Sequence, residues 1–508
     1  MSPMLAAVAA AAAIAAPGAT DVGTGQTLLQ LRPEATCTDG VLLARAGATA
    51  ISPELRIYRL PSAAARRLLP GLRARGAVQN VEAERRVEPL ATFSDPLSPN
   101  EWWRAAVGAA GLDPPGPGTP VTIVDSGIDL SHPEFASRPD TTLLNAQVPG
   151  YGGRHGTAVA SLVGAPANGI GIVGIYPQVA LRSWDAAVAD EGRELAVGDI
   201  VAGISAASRA GVGVINLSLG SGDRSASIEQ AVNEAVRRGS LVVAASGNDG
   251  DEGNPLTYPA ALPHVLTVAA TNRANAVAGF SSRSRYVDLA APGEDITVAW
   301  TPPPGYQPGD GTSFAAPLVS GAAAWVWTVR PELDNTQLFE ILRRSTKDIG
   351  APGRDLDSGF GLLDVGAALT AEAPVEDPLE PNEDIDDVRP GFGLAALTTR
   401  SLGRALVTAR LDLWEDPRDV YRVWQPAGRR LVVSTGAEED VDVAVWSQAA
   451  FSVAQQAGPE RLAVSARVGT GNERTRVPVS KRGRWVYVAV TRGRGIVEAE
   501  YRLGVTPR

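Results

Sequence analysis

Five apolar, strand-like runs alternate with helical stretches rich in small residues between residues 95 and 372. The runs lie at 121–124, 180–183, 213–217, 241–245 and 265–270. Strands joined by helices usually lie parallel with both sheet faces covered, so this alternation predicts an α/β domain built on one parallel sheet. Asp125 directly follows the first run. Ligand sites of open parallel sheets cluster at that carboxyl edge, and we therefore expect a functional site near Asp125.

Two further segments carry polar side chains suited to catalysis. His155 is followed by a Gly-Thr pair and a helix of small residues, unlike the other two histidines, His132 and His264. Ser313 lies between a glycine-led turn and an alanine-rich helix, whose N-terminus favours developing negative charge. Histidine titrates near neutral pH, so His155 is the candidate base and Ser313 the candidate nucleophile. Taken alone, the Gly-Thr-Ser turn is equally typical of an ordinary helix cap, and the other histidines are predicted to be structural.

The chain order aspartate, histidine, serine resembles that of the subtilisin-like serine proteases, or subtilases (peptidase family S8). The resemblance rests on four segments in family order, Val-Asp-Ser-Gly, Arg-His-Gly-Thr-Ala, Ala-Ser-Gly-Asn and Gly-Thr-Ser-Phe-Ala-Ala-Pro. It implies that Asp125 orients His155 and stabilises its charged form during attack by Ser313. It also implies that Asn248 donates a side-chain N–H to the oxyanion, beside the backbone N–H of Ser313. The alternative for Asn248 is a loop asparagine that favours a left-handed turn.

The resemblance also implies where a protein or peptide substrate would bind. Family members pair with the substrate backbone by strand addition, which leaves selectivity to side-chain pockets. Two segments would form opposite walls of the main pocket; their residues are Ser218, Leu219 and Gly220 on one side and Ala245, Ser246 and Gly247 on the other.

A structural calcium ion is a further implication of the resemblance, although the chemistry itself requires no cofactor. Asn168 occupies the position of a family calcium ligand, and Glu134 stands where an aspartate is usual. Both offer the oxygen ligands that Ca²⁺ prefers. The longer glutamate side chain must be accommodated for this site to form.

The N-terminal residues 1–16 are predicted to be a signal peptide. They contain an alanine-dominated apolar run and a small-x-small cleavage sequence at Ala13-Ile14-Ala15. No lysine or arginine precedes Arg32, so the positively charged start usual for signal peptides is missing. A disordered alanine-rich tail is the alternative.

Residues 20–90 are predicted to form a small α+β unit. Strand patterns cover 39–51, 54–60 and 78–87, and an amphipathic helix covers 62–76. The position of this unit ahead of the catalytic segments resembles that of the pro-region of subtilases. An unrelated accessory domain is the alternative.

The C-terminal part of the chain changes character after the catalytic domain at 95–372. Residues 373–395 are acidic and interrupted by prolines, a composition typical of a linker. Residues 396–508 contain seven short alternating runs, which predict an all-β sandwich with its own core. Short motifs such as Glu-Pro-Asn at 380–382 resemble the pre-peptidase C-terminal-type domain of secreted bacterial proteases.

Composition excludes several other classes of protein. A net charge of −10 argues against a nucleic-acid partner, and no apolar run approaches the ~18 residues of a membrane span. Cys37 is the only cysteine, so no intramolecular disulfide can form. We expect a monomeric, secreted bacterial protein.

The sequence therefore predicts a secreted serine endopeptidase made as a self-processing zymogen. One competing hypothesis is a catalytically weak or inactive binding protein with a subtilase fold. Another is a processing protease dedicated to one substrate. The intact set of Asp125, His155, Asn248 and Ser313 favours an active enzyme, since one substitution would suffice to abolish activity.

Overall fold

The computed structural model describes residues 25–84, 95–136, 138, 141–146, 154–188, 194–302, 305–377, 379–389, 405–454 and 458–508. The predicted signal peptide and residues 85–94, where we expect pro-region cleavage, lie outside these ranges. The chain divides into two compact units, Met1–Leu90 and Ala91–Arg508. No helix in the described ranges is long and apolar enough to cross a membrane.

The first unit is a four-stranded antiparallel sheet with two helices. Its strand order is β2-β3-β1-β4, and its elements are β1 (Gln26–Leu31), α1 (Cys37–Arg45), β2 (Thr49–Ser52), β3 (Ile57–Pro61), α2 (Ser62–Ala74) and β4 (Val78–Ala83). Leu29 and Leu72 are fully buried in the core that sheet and helices share. The amphipathic helix predicted at 62–76 is present, as are strands within the last two predicted strand regions.

The strand predicted at 39–51 is wrong, because Cys37–Arg45 forms helix α1 and only the end of the region is a strand. The backbone N–H of Thr36 donates to the Asp39 carboxylate at 3.0 Å, which caps the first turn of the helix. Asp39 also forms an ion pair with Arg75 at 2.9 Å. The hydrogen bond from the Thr36 side chain, opposed by burial and assisted by Arg75, holds the pKa of Asp39 below its usual value.

The centre of the second unit is a seven-stranded parallel sheet. Its strand order is β11-β10-β9-β8-β5-β7-β6. The strands are β5 (Val121–Asp125), β6 (Thr142–Leu143), β7 (Leu181–Asp185), β8 (Val214–Leu217), β9 (Leu241–Ala245), β10 (Val265–Thr271) and β11 (Leu289–Pro292). The five predicted apolar runs are β5, β7, β8, β9 and β10, which confirms the parallel α/β sheet.

Helices cover both faces of this sheet. Successive side chains of a strand point to opposite faces, so Ile123 packs with α5 (Arg154–Gly164) and α8 (Thr312–Val329). Its neighbour Val124 packs with α6 (Val197–Arg209) and α7 (Ala226–Arg237). The remaining elements are a 3₁₀ turn (Ser98–Asn100), α3 (Trp103–Ala106), α4 (Pro133–Ala136), the hairpin β12 (Ile296–Ala299) and β13 (Tyr306–Gly309), α9 (Asn335–Arg344) and α10 (Val365–Thr370).

The C-terminal part is a sandwich of two antiparallel sheets, ordered β14-β21-β16-β19 and β15-β20-β17-β18. Its strands are β14 (Ala405–Asp412), β15 (Arg418–Gln425), β16 (Leu431–Ala437), β17 (Val441–Ser447), β18 (Arg461–Ser465), β19 (Arg474–Val477), β20 (Arg484–Arg492) and β21 (Glu498–Pro507). The prediction of a sandwich is confirmed, and its described residues form one strand more than the seven expected. The additional strand, β19, is short and carries two arginines, so its alternating pattern is weak.

The segment predicted as an acidic linker packs closely against the sandwich in its described part. Asp377, Asn382 and Ile385 are each at most 1% exposed. Asn382 Oδ1 accepts the N–H of Val420 in β15 at 2.8 Å. The acidic composition therefore belongs partly to buried side chains, and the boundaries at 373 and 395 stay a prediction.

Candidate active site

His155 and Asp125 form the centre of the candidate site. Asp125 is the last residue of β5, and His155 lies in the first turn of α5. His155 Nδ1 lies 3.0 Å from Asp125 Oδ1 and 2.9 Å from Oδ2. Asp125 is 1% exposed, and its Oδ1 also accepts the N–H of Ser126 at 2.7 Å. A carboxylate fixed in this way favours a proton on Nδ1 and leaves Nε2 as the basic nitrogen.

The charged form of His155 is stabilised by its neighbour. Burial disfavours the imidazolium, but the Asp125 carboxylate outweighs burial and raises the pKa of His155 above its usual value of 6.5. The His155 side chain keeps 38% of its surface exposed, so the ring stays accessible from the cleft. Its centroid lies 6.0 Å from the ring of Phe314, the residue after Ser313.

Ser313 is the second residue of α8, directly after a strained turn. Gly311 before the helix has a φ of 151°, a conformation that side chains disfavour. Ser313 Oγ lies 3.4 Å from the backbone oxygen of Ser218. The described residues form no hydrogen bond between Ser313 Oγ and His155. Catalytic hydrogen bonds are often long in the absence of substrate, so this geometry does not exclude His155 as the base for Ser313.

A series of hydrogen bonds connects the interior of α8, through β8, to the backbone of Ser313 in its first turn. Ser320 Oγ donates to Asn216 Oδ1 at 2.9 Å, and Asn216 Nδ2 donates to Ser218 Oγ at 2.9 Å. Ser218 Oγ in turn donates to the backbone oxygen of Ser313 at 2.8 Å. Neither Asn216 nor Ser320 was predicted to support Ser313 in this way. An asparagine inside the otherwise apolar strand β8 is the signal that could have indicated these hydrogen bonds.

The side chain of Asn248 has a fixed orientation. Its Oδ1 accepts hydrogen bonds from the backbone N–H and the hydroxyl of Thr312, both at 2.9 Å. Because the amide oxygen is held by the residue before Ser313, Nδ2 faces the other way. A Cβ atom added to Gly311 would lie 3.4 Å from Nδ2, which places this donor at the turn that precedes Ser313.

The two predicted pocket walls follow adjacent strands. Ser218, Leu219 and Gly220 come after β8, and Ala245, Ser246 and Gly247 end or follow β9, its parallel neighbour. Ser218, Ala245 and Ser246 are buried, whereas Gly220 is exposed. The structure therefore brings both segments to the same sheet edge as Asp125.

Thr257 lies between these two walls and was missed by sequence analysis. A Cβ atom added to Gly220 would clash with Thr257 Cγ2, and one added to Gly247 would clash with Thr257 Oγ1. The threonine therefore fills space that two opposing glycines leave open. Nothing in the local sequence indicates this contact, since Thr257 lies in an irregular segment between β9 and β10.

A cleft of about 680 Å³ opens beside His155. Asp125 and His155 lie at one side of the cleft, and the segment from Ser218 to Ser221 lines another. Apolar side chains provide much of the remaining lining, namely Leu195, Val197, Ile200, Ile228, Tyr258 and Trp300. Such a surface suits an extended peptide with apolar side chains.

The residues predicted to bind calcium lie near a second carboxylate, Asp95. Asp95 Oδ1 accepts the backbone N–H groups of Asn168, Gly169 and Ile170 at 2.9–3.1 Å. Asn168 Oδ1 accepts the N–H of Ile170 within its own loop. Glu134 Oε2 and Asp95 Oδ2 are buried and have no hydrogen-bond partner among the described residues.

Glu134 shows the electrostatic consequence of this environment. Burial raises its pKa to about 7, against the effect of hydrogen bonds from Ile172 and Tyr306, and nearby Asp95 adds to the rise. These two buried oxygens without a partner are of the ligand type that a hard cation prefers. Asp95 was not among the predicted ligands, and Asn168 directs its side-chain oxygen into its own loop.

Comparison with known proteins shows the family to which the chain belongs. The profile of the subtilase family matches residues 116–361. Subtilisin BL of Lederbergia lenta is 37% identical over 254 residues, which cover 50% of this chain and 91% of that protein. The minor extracellular protease Epr of Bacillus subtilis (strain 168) is 32% identical over 335 residues, 64% of this chain. The chain spans 50% of the length of Epr.

One solved structure is similar over most of the chain. Fervidolysin from Fervidobacterium pennivorans matches 89% of this chain and 69% of its own, with a TM-score of 0.51 and 20% identity, which indicates a shared fold. The evidence for the family lies in the subtilisin relative, of which nearly the whole length is matched. The chain belongs to the subtilase family of serine endopeptidases.

Proposed function

We propose that this chain is a secreted endopeptidase that cleaves proteins through a triad of Asp125, His155 and Ser313. The observation that carries the proposal is the hydrogen bonding of His155 to Asp125. Nδ1 of His155 lies within 3.0 Å of both oxygens of this buried carboxylate. A histidine held in one orientation, with its ring open to a cleft, is suited to accept a proton from a nucleophile.

The chemistry proceeds in two halves. Ser313 Oγ attacks the substrate carbonyl carbon as its proton passes to His155 Nε2, and Asp125 stabilises the imidazolium. The peptide C–N bond then breaks, and His155 gives the proton to the leaving amine, which leaves an acyl-enzyme. A water molecule attacks the ester with His155 again as base, and the acid product and Ser313 are released.

The oxyanion of each tetrahedral intermediate needs donors fixed in advance. Asn248 Nδ2 and the backbone N–H of Ser313 are suited to this role, because Thr312 holds the Asn248 amide oxygen on the opposite side. The N-terminus of α8 adds a partial positive charge at the same place. The substrate backbone would pair with Ser218, Leu219 and Gly220 as an added strand.

The proposed catalytic activity is tested by labelling with a fluorophosphonate and by digestion of a mixed peptide library. We expect labelling and cleavage by the wild type and neither by Ser313→Ala. The exposed Ser131→Ala serves as the matched serine control and keeps both. Absence of labelling and of cleavage by the wild type would favour the alternative of an inactive subtilase-fold binding protein.

Self-processing is a further part of the proposal and rests on the sequence. Residues 20–90 would act as a pro-region, covalently attached to the catalytic domain and therefore present at high effective concentration. The wild type should accumulate without its first ~90 residues, whereas Ser313→Ala should lack only the signal peptide. Intact mass spectrometry of both proteins measures this, and identical N-termini would contradict it.

A structural calcium ion near Glu134 also remains a proposal. Glu134 and Asp95 would hold it through their unpartnered oxygens, and Asn168 would have to turn its side chain out of its own loop to join them. The ion would stabilise the loop and take no part in the chemistry. Calcium should raise the melting temperature of the Ser313→Ala protein, and Glu134→Gln should reduce that rise.

A further inference from the structure

Three buried carboxylates converge where the sandwich meets the catalytic domain. Asp377 and Glu380 come from the segment before the sandwich, and Asp416 follows β14. Each offers one oxygen, and the three oxygens lie within 4.8 Å of one another. The exposed fractions are 1% for Asp377, 6% for Glu380 and 5% for Asp416. These residues are far along the chain from the catalytic triad and have no part in its chemistry.

Two of these carboxylates have oxygens without a protein partner. Asp377 Oδ2 accepts the N–H of Arg410 at 2.9 Å, but its Oδ1 has no partner in the described ranges. Asp416 Oδ1 is likewise buried without a partner there. Glu380 is held in position by Asn382, whose Nδ2 donates to Oε1 at 2.7 Å. A buried carboxylate oxygen without a donor is strongly unfavourable, so a ligand is expected at this point.

The electrostatics of the three carboxylates also favour a bound ligand. Burial is the main cause that raises the pKa of each of the three groups well above its usual value, and neighbouring carboxylates, including Asp419, raise it further. Arg410 opposes the rise at Asp377. A divalent cation among the three would supply the positive charge that the surrounding side chains do not balance.

A small cavity provides the space. It has a volume of about 30 Å³ and is lined by all three carboxylates. Its remaining walls include Val236, Leu241 and Phe339 of the catalytic domain. A water molecule needs at least ~10–15 Å³, so the cavity has room for an ion and a water ligand.

We propose that Asp377, Glu380 and Asp416 bind a calcium ion that joins the sandwich to the catalytic domain. Three carboxylate oxygens and water form the hard, all-oxygen ligand set that Ca²⁺ prefers. His264 of the catalytic domain reaches the same cluster, with Nε2 3.4 Å from Glu380 Oε2 and paired with Glu383. The bound ion would thus hold one end of Glu380, whose carboxylate also lies beside His264 of the catalytic domain.

The test counts calcium ions bound by the full chain carrying Ser313→Ala, which prevents self-digestion. The protein is stripped with a chelator, and calcium binding is measured by equilibrium dialysis. We expect Asp377→Asn together with Asp416→Asn to lose one calcium equivalent per chain. Asp386→Asn, with a side chain 78% exposed in the same segment, is the matched control and should lose none. Equal counts in the parent and the double variant would overturn the proposal.

Thermal unfolding separates this site from the one proposed at Glu134. In a Glu134→Gln background, calcium should still raise the melting temperature by about 5 °C or more, and the double variant should abolish that rise. If calcium does not raise the melting temperature in that background, the proposal is wrong.

A crystal structure grown with calcium decides the question even if the double variant fails to fold. We expect an ion ~2.3–2.6 Å from oxygens of Asp377 and Asp416. Water or protonated carboxylates at that position, with calcium present in solution, would refute the site.

Discussion

Asn248 Oδ1 accepts both the backbone N–H and the hydroxyl hydrogen of Thr312, each at 2.9 Å. The residue that precedes Ser313 thereby sets the orientation of the Asn248 amide. The donor Nδ2 is fixed before substrate arrives, and a fixed donor needs no reorganisation as charge develops on the oxyanion.

Replacing Asn248 with alanine should lower kcat by about 10²–10³, with KM nearly unchanged. The reason is that the hydrogen bond strengthens only as the oxyanion forms. Steady-state kinetics on a peptide substrate measure both constants. Thr312→Val keeps the amide but removes one of its two anchors, so its loss should be smaller. An unchanged kcat in Asn248→Ala would mean that another group stabilises the oxyanion.

The pH dependence of activity should report the pairing of His155 with Asp125. Catalysis needs neutral His155, so kcat/KM should rise with pH through a pKa that Asp125 holds above 6.5. In Asp125→Asn this acidic limb should move to lower pH, and kcat should fall by about 10⁴. Asp129→Asn, a nearby loop carboxylate, is the control. If the acidic limb of kcat/KM lies at the same pH in Asp125→Asn as in the wild type, that limb reports the ionisation of another group.

Thr257 should restrict the substrate side chain that enters the main pocket. Its γ atoms contact both glycine walls, so we expect wild-type protein to prefer small residues at the position before the cleaved bond. Thr257→Gly should raise kcat/KM for phenylalanine relative to alanine by about 10–200-fold, the range that small volume changes give in apolar pockets. Thr257→Ser, which loses only the methyl group, should give a smaller change. No shift in either variant would place Thr257 outside the substrate path.

Asn216 should matter for stability more than its neighbours in the hydrogen-bond chain. Asn216→Ala leaves the Ser320 hydroxyl without its acceptor and also removes the N–H that is donated to Ser218 Oγ, which keeps its bond to the Ser313 backbone oxygen. A buried unpaired group costs about 1–3 kcal/mol. Ser320→Ala removes one hydroxyl and leaves one acceptor unpaired, so its loss should be smaller. Denaturant unfolding in a Ser313→Ala background measures the difference. Equal losses of unfolding free energy in the two variants would show that the hydrogen bonds through Asn216 do not act together.

The buried ion pair between Arg343 and Asp412 should hold the sandwich to α9. Both side chains are at most 1% exposed, so Asp412→Ala should lower the free energy of unfolding by about 3–5 kcal/mol. Glu498→Ala breaks the more exposed pair that joins Arg344 of the same helix to β21, and it should cost at most about 1 kcal/mol. Similar effects of the two substitutions would contradict a special role for the buried pair.

The same pair should make stability sensitive to acid. Burial acts to raise the pKa of Asp412, but Arg343 outweighs it and holds the pKa well below its usual range. A carboxylate with a depressed folded-state pKa stabilises the protein above its unfolded-state pKa of ~3.9, and this contribution is lost as the pH falls further. The difference between wild type and Asp412→Ala should therefore shrink below about pH 4. A difference that grows in acid would contradict this assignment.

The sequence alone determined the sheet and the candidate catalytic residues. Short apolar runs such as 121–124 have β-branched residues on both faces, a pattern typical of a parallel strand that is covered on both sides. Asp125 and Ser313 lie beside such elements, so their positions follow from strand and helix ends. These signals are local, since each depends on a few neighbouring residues.

Only the tertiary structure decided which side chains meet across the fold. The contact of Thr257 with two glycines, the link from Asn216 to Ser320, and the convergence of Asp377 with Asp416 each join segments far apart in sequence. Periodicity fixes which face a residue occupies but not what packs against that face. The acidic segment after the catalytic domain has the composition of a solvated linker, yet packing buries Asp377 and Glu380 within it, because burial depends on the whole chain rather than on local composition.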